Sequence, residues 1–562
     1  MLKKVGQGCT NHRRAISVGW MSMLGAMNAF AAGPPIPESV RKNLEERVSN
    51  GSAVGIVIGL ADETGTSFFA FGNRAKDKPI PVDAETIFEI GSISKVFTAL
   101  LLADAANRGE VRLDDPVDKF LPPDVASKMK ENRSITLSDL ATHRSGLPRM
   151  PDNVEPKDPA DPYADYSANR LYAFLRAWKP PATKPNFEYS NLGAGLLGHV
   201  LTVAAKKDYE TLVRERITAP LKMTDTCLKL SASQSERFAA GFAGDSPARY
   251  WTFDSLAGAG AIRSTATDMI KFLSAFLGNP PPALASAVKS QRSHRYDMGE
   301  KDMSIGLGWI IDRRHGTEIY WHNGGTAGFH SFCGFRPDRK TAVVVLNNSS
   351  YDMDDVGLHL LEPLNELIIA PTQIVLTSAI LDRYVGQYEL APGAVITIAR
   401  DGDALSAQLT GQDKARIYPS SERKFFLKVV DAQFTFEVDA DGKATALTLH
   451  QSGMNQKARR LAADYQPPPP RKEATVDAKL LAEYVGRYQL APEVLFDVKL
   501  DGTQLTAQLT GQQRFPVFPE SSSKFFYKVV EAQLTFVKGD DGKVKELILH
   551  QGGRDQRAKR ME

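Results

Sequence analysis

The segment Tyr384-Val385-Gly386-Gln387-Tyr388 returns one hundred positions later as Tyr484-Val485-Gly486-Arg487-Tyr488. Lys424-Phe425-Phe426 returns as Lys524-Phe525-Phe526, and His450-Gln451 as His550-Gln551, with the same offset and no gap. A constant offset across such separated matches marks a duplicated domain. Asp401-Gly402 and Asp441-Gly442 each interrupt alternating apolar runs, as do their copies Asp501-Gly502 and Asp541-Gly542. Asp-Gly between alternating runs is a strong short-range hairpin signal. Leu405, Ala407 and Leu409 put one strand face inward. Each unit therefore reads as a small all-β barrel or sandwich, over 372–466 and 471–562, with Pro467–Pro470 as a stiff spacer.

The region 34–370 reads differently, as an α+β domain. Gly55–Leu60 and Phe68–Phe71 predict an early hairpin across a turn at Asp62–Thr66. Ser94–Arg108 is apolar on most faces and ends at Gly109, so it predicts a helix buried in the domain centre. Pro148–Tyr166, rich in Pro and Asp, reads as an excursion loop. Trp309–Asp312, Glu318–His322, Ser331–Arg336 and Thr341–Leu346 read as closing strands. Strands at both ends with helices between predict one antiparallel sheet, flanked by helices, whose first and last segments pair.

The chain has 562 residues and a formal net charge of +3. Lys3, Lys4, Arg13 and Arg14 supply that excess, and the remainder is close to neutral. Neither nucleic acid nor an anionic membrane is expected as a partner. The basic start, the apolar run from Ala15 to about Met27, and Ala29-Phe30-Ala31 read as an export signal over 1–31, the alternative being an uncleaved anchor. Export places the protein in the periplasm or outside the cell, with no stable membrane insertion after cleavage. Cys227 and Cys333 either pair or stay free.

Three residue sets carry the chemistry: Ser92-Ile93-Ser94-Lys95, Tyr189-Ser190-Asn191 and His322-Asn323-Gly324. S-x-x-K also occurs at Ser127, Ser286, Ser421 and Ser521, so context decides. Ser92 opens the buried helix, where free backbone N–H groups can hold a developing oxyanion. Lys95 lies three residues on, on the same face, and a lysine sunk among apolar side chains loses part of its preference for charge. Ser421 and Ser521 precede strands, where that spacing cannot bring lysine to serine. Ser127 and Ser286 fall in polar or Ala-rich surface helices.

Tyr189 is a phenol near two cations, expected to titrate low enough to relay a proton. Asn191 is expected to donate to a substrate carbonyl and to fix Lys95. His322 is expected either to bind a substrate carboxylate when charged or to tune Tyr189 when neutral. Gly324 and Gly325 would let an extended substrate lie against the strand edge, with the Gly325 N–H as a second oxyanion donor. Gly193-Ala194-Gly195-Leu196-Leu197-Gly198 matches a dinucleotide fingerprint, but prolines rather than a strand precede it, so it reads as tight helix packing. No cofactor is expected, no residue cluster has metal-ligand spacing, and no G-x-S-x-G elbow occurs.

With these residues placed, the chain resembles the serine β-lactamase and penicillin-binding-protein superfamily. It is most similar to the branch of class C β-lactamases, D-alanyl-D-alanine carboxypeptidases, D-aminopeptidases and related esterases. IFEIGSISKVFTALLLADAANRGEVRLDDPVDKFLP, ITLSDLATHRSGLP, FEYSNLGAGLLG, AGAGAIRSTATDM, GLGW and HNGGTAGF carry the likeness, over about residues 38 to 350. It implies Ser92 as acylated nucleophile, Lys95 and Tyr189 sharing acid and base work, and Asn191 and His322 binding substrate. The Ser92 and Gly325 amides would form the oxyanion hole. Class C members carry lysine at the position of His322, and histidine there is more similar to the peptidase and esterase members. The duplicated units resemble lipocalin-like domains appended to some of those peptidases. The implied activity is hydrolysis of a small-molecule or peptide amide (a β-lactam or a D-amino-acid peptide) through an acyl-serine. The alternatives are a carboxylesterase or a slowly deacylating penicillin-binding receptor.

Overall fold

Gly55–Asp62 (β1) and Gly65–Gly72 (β2) form the expected hairpin, paired from Gly55↔Gly72 to Asp62↔Gly65. They belong to a computed structural model that describes residues 33–561 apart from 133, 182–184, 392, 431, 452–453, 463–464, 466–472, 492–493, 502–503, 510–513, 528–531 and 552–553. The segment read as an export signal and the Pro467–Pro470 spacer lie outside the described residues.

Six further strands complete the sheet: Tyr296–Asp297 (β3), Met303–Ile305 (β4), Ile310–Asp312 (β5), Ile319–Gly325 (β6), His330–Arg336 (β7) and Thr341–Asn347 (β8). Their order is β2-β1-β8-β7-β6-β5-β4-β3, all antiparallel. The first and last long strands pair, Ile56↔Asn347 through Ala61↔Ala342. Both are buried almost throughout because helices cover both faces. Val57, Val344 and Leu346 face the main core. Ile56, Ile58, Leu60, Val343 and Val345 face a smaller core under Glu38–Ser49 (α1) and Asp354–Leu361 (α4). The strict alternation of a pleated strand makes that division.

Ser94–Asn107 (α2) is buried from Ser94 to Ala105 and lies in the middle of the main core. Gly109, at φ +71°, takes the left-handed conformation that ends it. Asn191–Ala205 (α3) is capped by the Ser190 hydroxyl, which accepts from Gly193 N at 2.8 Å. Its glycines serve close packing: a β-carbon on Gly195 would stand 2.6 Å from Leu256 Cδ2, and one on Gly198 would stand 2.9 Å from Gly258 Cα. The fingerprint match is therefore a packing surface.

Beyond the sheet, eight strands from Gly386–Ala391 to Met454–Arg460 close in sequence order into a barrel, the last pairing with the first at Tyr388↔Arg460. Tyr384, Tyr388, Phe425, Phe434 and Phe436 fill its interior, so it is a packed core. The second copy repeats the design, down to Tyr488 OH donating to the Tyr484 carbonyl at 2.8 Å where Tyr388 donates to Tyr384 at 2.7 Å. It differs at one strand. Ala415–Pro419 is continuous, whereas its copy splits into Phe515–Pro516 and Phe518–Pro519, and these two are the ends of a nine-stranded order. Pro516 stands where the first copy has Arg416, and a proline has no N–H to give the ladder.

The first barrel touches the α+β domain. Tyr418 OH donates to Asp245, which also accepts from Lys76 Nζ at 2.8 Å. Asp245 lies in a small hairpin, Gly241–Ala243 with Ser246–Ala248. Phe242 N donates to the Gly328 carbonyl at 3.1 Å, joining that hairpin to the turn between β6 and β7. Among the described residues no helix is long and apolar enough to cross a membrane.

Candidate active site

Phe88-Glu89 pairs with Arg263-Ser264, and the chain then turns through a short 3-10 stretch, Gly91–Ile93, straight into α2. Ser92 is therefore in the first turn, where backbone N–H groups lack intrahelical acceptors. Strand β6 runs directly past this turn. A β-carbon on Gly324 would sit 2.0 Å from the Ile90 carbonyl oxygen, and one on Gly91 would sit 2.8 Å from Gly325 N. Gly91 also has φ +48°. Only glycines allow this approach. Ser331 locks it by donating its hydroxyl to the Ile90 carbonyl at 2.9 Å. Gly325, by contrast, is exposed with nothing within 4 Å of the place a β-carbon would occupy, so it borders open space beside Ser92.

Lys95 Nζ stands 2.8 Å from Ser92 Oγ and donates to the Ala259 carbonyl at 2.7 Å. The residue is 3% exposed. Burial, reinforced by the nearby Arg149 charge, holds the amine well below the ordinary lysine range. The segment Ala257–Ile262 clasps the helix by further bonds: Thr98 donates to the Gly258 carbonyl at 2.8 Å, and Ile262 N donates to Ser94 Oγ at 3.1 Å.

Tyr189 lies with its ring 5.0 Å from Lys95 Nζ and 5.2 Å from Arg149 Cζ. Its phenol is pushed up to about 12, not down: burial dominates, and the Ser92 hydroxyl and Arg149 charge only moderate it. The expectation of a low-titrating tyrosine is thus corrected. Asn191 also departs from expectation. Its Nδ2 donates to Tyr163 OH at 3.3 Å and points toward Met150 Sδ at 3.8 Å, while the Ala259 carbonyl takes the place expected of it on Lys95. His322 is 1% exposed, and burial together with the Lys95 charge lowers it to about 3. Its Nδ1–H donates to the Asn323 carbonyl at 2.6 Å, leaving Nε2 as an acceptor. Of the two roles open to His322, the geometry favours the neutral one, with the Tyr189 ring centre 6.3 Å away.

Two residues here carried no role from the sequence. His143, at φ +55° and fully buried, stacks on Tyr189 at 4.4 Å, and its Nδ1 accepts from Ser190 N at 3.1 Å. It backs the Tyr189-Ser190-Asn191 turn, and the only signal for it was its place in ATHRSGLP. Arg149 follows that stretch, and its carbonyl accepts from the first two amides of α3, Asn191 N at 3.0 Å and Leu192 N at 3.2 Å.

The other serine-lysine pairs stay apart from this cluster: Ser127 is in Pro123–Asn132, Ser286 in Ala285–Ser293, and Ser421 and Ser521 precede barrel strands. Cys227 and Cys333 are unpaired. One trio absent from the sequence spacing does converge, His330, Asp352 and Asp354, whose donor atoms lie within 4.8 Å of one another. Met353 N donates to His330 Nδ1 at 3.3 Å, which puts the ring proton on Nε2, facing both carboxylates at 3.6 and 3.7 Å. At those separations the ring makes no hydrogen bond to either acid, and Asp354 Oδ1 has no hydrogen-bond partner among the described residues. The neutral ring aims an N–H, not a lone pair, at the two carboxylates.

A family model described as Beta-lactamase matches residues 40–362. The chain belongs to the beta-lactamase family. A domain of unknown function (DUF3471) matches twice more, at 370–464 and 470–560, over the duplicated barrels of this beta-lactamase relative. An Escherichia coli beta-lactamase is 26% identical over 58% of this chain and 92% of its own length. The D-alanyl-D-alanine-carboxypeptidase/endopeptidase AmpH of the same organism is 26% identical over 59% of this chain and 91% of its own. A solved class C beta lactamase from Rhodobacter sphaeroides matches with a TM-score of 0.50 at 26% identity, covering 56% of this chain and 94% of that one.

Proposed function

We propose that this protein is a serine hydrolase that opens an amide by acylating Ser92, its substrate a β-lactam or a peptide containing D-residues. The observation that carries the reading is the 2.8 Å separation of a buried, charge-disfavoured Lys95 amine from Ser92 Oγ. A neutral amine has a lone pair for the serine proton, so attack on the carbonyl carbon forms the C–O bond as the proton passes to Lys95. The oxyanion lies between the Ser92 and Gly325 amides. The Tyr189 phenol, kept protonated by burial, donates to the departing nitrogen, and Lys95 restores its proton. Water then repeats the attack on the ester. Asn191 and the β6 edge at Gly324 orient the substrate, and the neutral His322 holds the environment of Tyr189. The names of the two Escherichia coli relatives support both substrate kinds. Export to the periplasm or the medium belongs to the same proposal.

The test is mass spectrometry after mixing with a penicillin, followed by turnover of nitrocefin, a D-Ala-D-Ala peptide and p-nitrophenyl acetate. An adduct on Ser92 that decays with turnover of an amide supports the proposal. A long-lived adduct makes the protein a penicillin-binding receptor, and turnover of the ester alone makes it a carboxylesterase. Ser92→Ala should lose labelling and turnover together; turnover retained in a clean preparation refutes the assignment.

A further inference from the structure

Among the described side chains that surround Ser92, Lys95 and Tyr189, four can carry positive charge, and three are unsuited to holding an anion. Lys95 is buried and engaged with Ser92 and the Ala259 carbonyl. His143 and His322 are buried, and their surroundings keep them neutral. The fourth, Arg149, is exposed at the mouth of the site with its Cζ 5.2 Å from the Tyr189 ring. No acidic side chain pairs with it among the described residues. Its backbone is nevertheless fixed, because its carbonyl accepts two amides at the start of α3, and the guanidinium lies over the Tyr189 ring. Beside it stands an aromatic wall: Tyr163, bonded from Asn191, is stacked on Phe253 at 4.5 Å and lies 5.4 Å from Trp251.

We propose that Arg149 is the specificity-determining residue of this site, binding a carboxylate of the substrate by charge-assisted hydrogen bonds while Tyr163 and Phe253 receive its apolar part. A planar fork of five N–H donors suits a carboxylate better than any other group here. The substrate class follows: amides or esters that carry an anionic group within reach of the reacting carbonyl. This rests on Ser92 being the acylated nucleophile. Because the Arg149 charge also bears on Lys95, its loss should move the acidic limb of the pH–rate profile to higher pH. A residue that merely shapes the loop would leave that limb in place.

The experiment compares the full chain with Arg149→Ala, Arg149→Lys and Arg149→Glu on two matched pairs: p-nitrophenyl hemisuccinate against p-nitrophenyl butyrate, and acetyl-D-Ala-D-Ala against its C-terminal amide. The unaltered protein should prefer the charged member of at least one pair. Arg149→Ala should lower that preference on the order of 10- to 100-fold, the worth of one hydrogen bond to a charged group. Arg149→Lys should recover part of it and Arg149→Glu should reverse it. A preference in both pairs that is unchanged by Arg149→Ala, with the acidic limb unmoved, overturns the proposal. If the unaltered protein neither releases p-nitrophenol from p-nitrophenyl acetate nor gains an acyl mass on Ser92, the acyl-serine reading itself falls, and the role of Arg149 with it.

Discussion

Gly324 faces the carbonyl of Ile90 so closely that a single β-carbon there would stand 2.0 Å from the oxygen. That approach holds strand β6 against the turn that presents Ser92. Everything proposed for the site depends on two segments far apart in sequence meeting without side chains between them.

Neighbouring glycines should therefore answer differently to the same substitution. Gly324→Ala must push β6 away from Ile90 and Ser331, at an overpacking cost of about 1–3 kcal/mol. Thermal unfolding should show that loss, and acylation of Ser92 should fall by more than about 10²-fold as the second oxyanion donor moves. Gly325→Ala meets no protein atom, so its melting temperature should stay near that of the parent while KM rises. Equal effects of the two on stability would contradict the geometry.

Lys95→Ala should lower acylation by about 10³-fold or more while the chain still folds, as base removal does in serine hydrolases. Burst kinetics with a chromogenic ester separate that step from deacylation.

The pH profile has a definite sign. Lys95 must be unprotonated to accept the serine proton, so kcat/KM should rise with pH through the lowered lysine pKa and fall away below it. His322, held near 3, is already neutral across that range and should contribute no inflection between pH 5 and 8. His322→Asn should accordingly leave the acidic limb where it is, whatever it does to the rate. A limb that vanishes in that variant would sink the neutral-imidazole reading.

The contact between Asp245 and Tyr418 ties the first barrel to the hairpin that buttresses the β6–β7 turn. Asp245→Ala removes the acceptor of Tyr418 and the partner of Lys76 together. Hydrogen exchange should quicken in 241–248 and in Ala415–Pro419, the strand that carries Tyr418, and relative rates across a substrate panel should shift more than the rate on p-nitrophenyl acetate. Unchanged exchange in both segments would show that the barrel's seat lies elsewhere.

Much of this was legible in the residues. Ser92 and Lys95 are three apart across the start of a helix that is apolar on most faces, which suffices to bring lysine to serine in a buried place. The pairing of β1 with β8 follows from two apolar runs at the ends of a mixed region, and the barrels follow from Asp-Gly turns repeated at one offset. Even the split in the second barrel is written as proline in place of Arg416. What the sequence withheld depends on long-range enclosure. The Ala259 carbonyl that takes Lys95 is 164 residues away and has no side-chain signature. Burial of Tyr189 outweighs the Arg149 charge beside it, and depth is not written locally. His143 and Arg149 sit in an otherwise ordinary loop, and only the fold turns them toward Tyr189.

The pairing of Ile56 with Asn347 has a consequence during synthesis. Until β8 leaves the ribosome, β1 presents one unpaired backbone edge and a row of valine and isoleucine side chains. A nascent chain in that condition is open to strand addition by other chains, and so to aggregation. The α+β domain must therefore wait for its last long strand, and premature termination anywhere before Thr341 should yield insoluble fragments rather than a smaller working enzyme.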